Sequence, residues 1–217
     1  MQKGFTLAEV LLTLAIIGVV AALTIPAVVT KVTKDQYVTG LKKAYNTLKS
    51  VEREAIQEHG PMENWTWSTG YDPIADFEKY FLPYFDVLKK CGTTEKGCFS
   101  EEITLLDGNT WDYYSARFYK ILTSDGMAWM LYREGFSPPN AKGYFYVDVN
   151  GLKGPNRWGR DIFGFNVYPS DWGIKPSGVY SVYCTPISTS DVDLGCNTSS
   201  NGDTCTTKVL SEGAMNY

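Results

Sequence analysis

From Phe5 to Val29 the chain is apolar apart from Glu9 and the threonines Thr6, Thr13 and Thr24. Such a run exceeds the ~20 residues needed to span a ~30 Å hydrocarbon layer. In hydrocarbon every backbone N–H and C=O must be satisfied within the segment, so the run is committed to a helix. A secretory signal peptide is the competing reading, with Ala21-Ala22-Leu23 as its cleavage site. The helical pattern continues straight through that site, however. A charge at mid-membrane costs roughly 2.5–3.5 kcal/mol on insertion scales, and less near an end. A disposable signal has no reason to bear that cost, so a specific partner for Glu9 is expected.

Beyond Pro26 the pattern turns amphipathic. Val28, Val32, Val38, Leu41, Tyr45, Leu48, Val51 and Ala55 recur at three- and four-residue steps, with Lys31, Lys34, Asp35, Lys42, Lys43, Lys49, Glu52 and Glu54 on the other faces. His59-Gly60-Pro61 supplies a stop. One helix is therefore expected from Phe5 to about Glu58, ~80 Å at ~1.5 Å per residue. Its first half is apolar all round, and its second half needs a domain to cover one stripe. Pro26 removes a helical hydrogen bond and Gly18 lowers propensity two turns earlier, making Gly18–Pro26 the weakest stretch.

The rest of the 217 residues is long enough for one sizeable core. Asp72-Pro73 reads as a cap followed by proline at the first helical position. Phe77, Tyr80, Phe81, Tyr84, Phe85 and Leu88 then form a second helical face, kinked at Pro83. Residues 119–123, the turn Ser124-Asp125-Gly126 and residues 127–133 read as a hairpin. Residues 143–149 and 161–168 are further strands. Few helical patterns appear late, and residues 188–207 read as the loosest region. The expected fold is α+β, an antiparallel sheet packed on the second half of the long helix.

The net charge of −4 and the lack of a Lys/Arg cluster exclude a phosphate-tracking nucleic-acid surface. Lys42-Lys43 and Lys89-Lys90 read as solvated helix faces. All five cysteines lie outside the apolar segment. Cys91 and Cys98 flank a short flexible turn suited to a disulfide; metal binding is disfavoured because CxxC spacing is absent and His59 is the lone histidine. Among Cys184, Cys196 and Cys205, the Cys196–Cys205 pair closes the smallest loop and Cys184–Cys205 is the alternative. The leftover thiol is either buried or paired between chains. The segment 148–161 offers oxygens from Asp148, Asn150 and Asp161 between glycines. It is either a calcium loop or a turn whose side chains cap local N–H groups; an EF-hand is excluded because its last carboxylate ligand is missing. The oxygen-rich stretch 191–203 is a weaker calcium candidate. No nucleophile, zinc or P-loop motif occurs, so catalysis is not expected. His59, beside Gly60, is expected to face solvent. The tryptophans and tyrosines are expected in the core and in subunit contacts rather than on sugars.

Lys3-Gly4-Phe5-Thr6-Leu7-Ala8-Glu9, with Gly18 and Pro26 beyond, resembles the processing segment of type IV prepilins and type II secretion pseudopilins. Ala8 stands where most members carry a larger aliphatic residue. The resemblance covers about the first 30 residues. It implies that a prepilin peptidase cuts between Gly4 and Phe5 and methylates the new amine of Phe5. It also implies that Glu9 pairs with the N-terminal amine of a neighbouring subunit, and that the Gly18–Pro26 stretch kinks or melts as subunits leave the bilayer. The implied organisation is a leader at 1–4, a membrane or filament-core helix at 5–29, its amphipathic continuation at 30–59 and a pilin-like globular α+β domain at 60–217. The implied role is a structural subunit, held once across the inner membrane and then polymerised into a cell-surface or periplasmic filament. Its partners are other copies, related pilins and an assembly platform. No cofactor is required; some pseudopilins bind calcium in a globular-domain loop. The size of the globular part leans toward a pilus subunit over a pseudopilin. The rival from another class is a membrane-tethered extracellular binding or hydrolytic domain that does not polymerise.

Overall fold

The computed structural model describes residues 4, 6–67, 73–94, 96–111, 117–133, 143–168, 173–179 and 188–217. Helix α1 runs Leu7–His59 and α2 Pro73–Tyr80; the strands are β1 Val87–Gly92, β2 Phe118–Thr123, β3 Ala128–Arg133, β4 Gly143–Asp148, β5 Ile162–Tyr168 and β6 Gly173–Pro176; α3 Thr189–Gly195 and α4 Cys205–Glu212 follow. A long N-terminal apolar helix followed by a six-stranded antiparallel sheet is an α+β, pilin-like architecture. By internal contacts the chain forms two units, Met1–Gln36 and Tyr37–Tyr217.

In the first unit the helix side chains are exposed all round, among them Leu11, Leu14, Ile17, Val20 and Val28. By length and composition this helix can cross a membrane. Its threonine hydroxyls bond back onto the helix: Thr13 Oγ1 to Val10 O, Thr24 Oγ1 to Val20 O and Thr30 Oγ1 to Pro26 O, each at 2.9 Å. Such bonding satisfies a hydroxyl in hydrocarbon without an outside partner.

In the second unit the sheet is a meander in the order β1-β2-β3-β4-β5-β6, each strand antiparallel to the last. Tyr37, Val38, Leu41, Ala44, Leu48, Val51 and Ala55 line the buried stripe of α1, spaced as one face of a 3.6-residue helix. They share a core with Tyr119, Ile121, Trp129, Leu131, Phe145, Val147, Phe163, Phe165 and Val167 from one face of the sheet. Tyr45 stacks on Phe165 with centroids 6.0 Å apart. The opposite face carries Phe118, Ala128, Met130, Tyr146 and Ile162, covered by Phe99, Ile103 and Trp158. Burial on both faces explains why β5 reads as a nearly continuous apolar run and not as an alternation.

Two contacts tie the sheet to α1. Glu52, buried on the helix, accepts Ile174 N–H at 2.8 Å and pairs with Lys49. Gly173 lies against this carboxylate at φ +62°; a Cβ there would sit 1.7 Å from Glu52 Oε1. At the other end Lys43 Nζ meets Asp125 Oδ2 at 2.9 Å. Asp125 Oδ1 in turn accepts from Thr123 Oγ1 and Met127 N, fixing the β2–β3 turn. Burial works to raise the Asp125 pKa, but these donors and the Lys43 ammonium outweigh it and hold it below the usual carboxylate range.

Several expectations need correction. The second helical face does not reach Leu88: α2 ends at Tyr80, a 3-10 turn spans Leu82–Tyr84, and residues 87–92 are strand β1. Pro83 removes the donor that a continuing helix would need; beyond it the buried Phe85 precedes the strand, and Leu88 points outward from β1. Lys89 and Lys90 are therefore exposed on an edge strand, not on a helix, where charge deters pairing with other chains. Strand β6, four residues long, carries no alternation signal in the sequence. Residues 188–207 are not loose: α3 begins with Ser188 as its N-cap, and α4 is closed by Gly213 at φ 67°. The expected cap Asp72 lies outside the described residues.

Candidate functional site

The candidate site is the start of α1. Thr6 and Glu9 form a reciprocal capping box. Thr6 N and Thr6 Oγ1 each donate to Glu9 Oε2 at 2.8 Å, and Glu9 N donates to Thr6 Oγ1 at 3.3 Å. The first helical hydrogen bond, Val10 N to Thr6 O at 3.2 Å, follows directly. The lone carboxylate of the apolar segment is thus held by its own chain through one oxygen. Sequence reasoning found Glu9 and missed Thr6, although Thr-x-x-Glu ahead of an apolar run is itself a signal. Gly4 is exposed, and Phe5 lies outside the described residues. Gly18 and Pro26 both sit inside α1, with open space around Gly18.

The second oxygen-rich place is the loop from β4 to β5. Asp148 and Asp161 are both fully buried. Asp161 Oδ2 and Oδ1 accept the backbone N–H groups of Asn156 at 2.9 Å and Arg157 at 2.7 Å. Asp148 Oδ1 accepts Asn150 N–H at 3.1 Å, and with its amide oriented to donate, Asn156 reaches Asp148 Oδ2 at 3.1 Å. Burial first, and then the neighbouring Asp161 charge, push Asp148 up to about 9; burial also raises Asp161. Calcium takes six to eight oxygens. Here two carboxylates already serve as turn caps and only Asn150 Oδ1 lacks a partner. Among the described residues no group of three or more His, Cys, Asp or Glu gathers as a metal site. The donor set falls short of a calcium shell.

In the 191–203 stretch the oxygens are likewise engaged. Ser188 Oγ donates to Asp191 Oδ2, Asp193 pairs with Lys208, and Asn197 Nδ2 caps the carbonyls of Asp193 and Leu194. Cys91 is bonded to Cys98 and Cys196 to Cys205; Cys184 lies outside the described residues. His59 does not simply face solvent. Its ring stands edge-on to Tyr80 at 5.1 Å, Trp65 at 6.0 Å and Tyr84 at 6.4 Å, with Nε2 3.3 Å from Tyr84 OH. Gly60 turns the chain back so that Trp65 reaches the helix end, donating Nε1–H to Gly60 O at 2.7 Å. The turn at Gly60 is local, but Tyr80 and Tyr84 reach His59 from α2 and the turn after it, which no local pattern announces.

Residues 1–25 match the family model described as the prokaryotic N-terminal methylation motif. No curated protein and no solved structure is similar to the chain. The exposed apolar helix, its capped Glu9 and this match coincide in one segment, which carries the signature of type IV prepilins and pseudopilins.

Proposed function

We propose that the chain is a structural subunit, not an enzyme, of a type IV pilus or a type II secretion pseudopilus. A prepilin peptidase cuts it between Gly4 and Phe5 and methylates Phe5. Before assembly it is anchored once in the inner membrane with the globular unit outside the cytoplasm; afterwards it stands in a surface or periplasmic filament beside copies of itself and related pilins. The observation that supports this most is an N-terminal methylation motif opening a helix whose first stretch, up to residue 29, is apolar on every side yet carries one carboxylate. In a lone helix Glu9 satisfies one oxygen on Thr6 and leaves Oε1 for an outside donor. A neighbour's Phe5 amine, in low dielectric, is the donor whose charge matches, and each charge is costly to bury alone. Assembly releases the apolar surface from lipid into helix–helix packing, and no cofactor takes part.

The test is mass spectrometry of sheared surface fractions together with Glu9→Ala. The mature chain should begin at N-methyl-Phe5, and the variant should lose filaments while remaining processed and membrane-bound. A mature protein starting at Met1 or beyond Leu23, or normal filaments from Glu9→Ala, refutes the reading. A tethered monomer would be indifferent to that substitution.

A further inference from the structure

We propose that Lys120, on the outer face of the sheet, holds an oxyanion site: its ammonium takes a carboxylate or phosphate group from outside the chain, at the end of β1 where the Cys91–Cys98 loop begins. The site lies wholly in the globular unit and does not depend on how the N-terminus is processed.

Side chains alternate along a strand, so Lys120 shares the outer face with Phe118 and Leu122. In register on β3 it faces Met130, a buried member of the same apolar cluster. The residue is 5% exposed. Among the described residues no hydrogen bond or ion pair reaches its Nζ. Other lysines of the unit find acceptors: Lys43 on Asp125, Lys49 on Glu52, and Lys208 on Asp193 and Glu212. Lys120 is more buried than these and has none. A lysine stem lies on apolar surface at little cost, but a desolvated ammonium without an acceptor is expensive. Burial accordingly depresses the basicity of this amine; Glu101 works to raise it and Lys96 to lower it. Those two are bonded to each other at 2.7 Å, so the Glu101 charge is already largely spent. Opposite Lys120 on β1 stands Gly92, at φ +56°, where an added Cβ would meet nothing within 4 Å. The neighbouring strand thus leaves open space at the lysine's position. An oxyanion supplies what the ammonium lacks, an opposite charge together with acceptor lone pairs.

The experiment follows the backbone amides of Gly92 and Ile121 by NMR in the full chain in detergent micelles. Sodium phosphate and, separately, sodium acetate are titrated against sodium chloride at equal ionic strength. Both amides should shift saturably with an oxyanion and not with chloride. Lys120→Met keeps an apolar stem and removes the charge; it should weaken binding by at least about tenfold, the worth of one charge-assisted hydrogen bond. Glu101→Gln, at an exposed position, removes a competing carboxylate and should tighten binding about twofold. It decides the matter should Lys120→Met fail to fold. Diluting the chain without added oxyanion separates the two sources. Shifts that follow protein concentration put the carboxylate on another copy, and shifts that follow phosphate or acetate alone put it in solution; both support the site. Amides that respond to chloride as much as to the oxyanions, and not to protein concentration, overturn the proposal. So does unchanged binding in Lys120→Met, or weaker binding in Glu101→Gln.

Discussion

Replacing Glu52 by alanine removes the acceptor that closes the last strand of the sheet onto α1. Ile174 is fully buried and its N–H donates to Glu52 Oε1 at 2.8 Å. Without the carboxylate that donor has no water to turn to, at about 1–3 kcal/mol. The lost side-chain packing adds about 1 kcal/mol. Lys49, whose side chain is 40% exposed, resolvates and adds little. The sum is about 2–4 kcal/mol, or roughly 4–16 °C in Tm for a chain of this size. Glu52→Gln keeps an acceptor and should cost about 1 kcal/mol or less. Thermal unfolding of the full chain in detergent, with amide exchange at Ile174, reads both effects. Gly173→Ala drives a methyl into the same carboxylate, so Glu52→Ala should partly relieve it, and the two costs should not add. If Glu52→Ala shifts Tm by no more than Glu52→Gln does, or if Ile174 keeps its exchange protection, the clasp does not hold the strand.

Three further outcomes are expected. Asp161→Ala should cost more than about 3 kcal/mol, because it strands the N–H groups of Asn156 and Arg157 together, and it should raise the urea sensitivity of the globular unit. Asp125, held below the usual carboxylate range, contributes stability that is present above its unfolded value and lost as pH falls through its folded value; a stability–pH profile should therefore lose part of its acid limb in Asp125→Asn, and Lys43→Ala should cost about 1 kcal/mol or less. Adding millimolar calcium or EGTA should move Tm by less than about 1 °C; a calcium-dependent rise of several degrees would show that the loop from β4 to β5 collects more ligands than its capped carboxylates offer.

What could be read beforehand follows from locality. The apolar run, the stripe through Leu41, Leu48 and Val51, and the turn at Ser124–Gly126 each announce themselves within a few residues, and the structure places all of them as read. The short loops of both disulfides are of the same kind. What escaped depends on distant partners. Strand β1 begins where Pro83 ends helical pairing, but its existence is decided by β2, some thirty residues on. β6 is too short to show a period, and its edge is satisfied by a side chain from α1. α3 was within reach, since Ser188-x-x-Asp191 is a capping signal that polar composition obscured. At the candidate site, Glu9 was conspicuous as a charge among aliphatics. Thr6 was not, because a threonine in an apolar run looks neutral until its hydrogen bonds are seen.

The meander imposes an order of maturation. Each strand pairs with its sequence neighbour, so the sheet can grow strand by strand as the chain emerges, with its longest connection, from Gly92 to Phe118, closed at the first pairing. The helix that needs covering is made first, and the strand that latches to it comes nearly last, the two partners lying 122 residues apart. Throughout that interval the oily stripe of α1 waits uncovered beside a growing edge. A chain whose synthesis stalls before residue 174 is therefore left with both an open sheet and an open helix, and a quality-control protease should find it there.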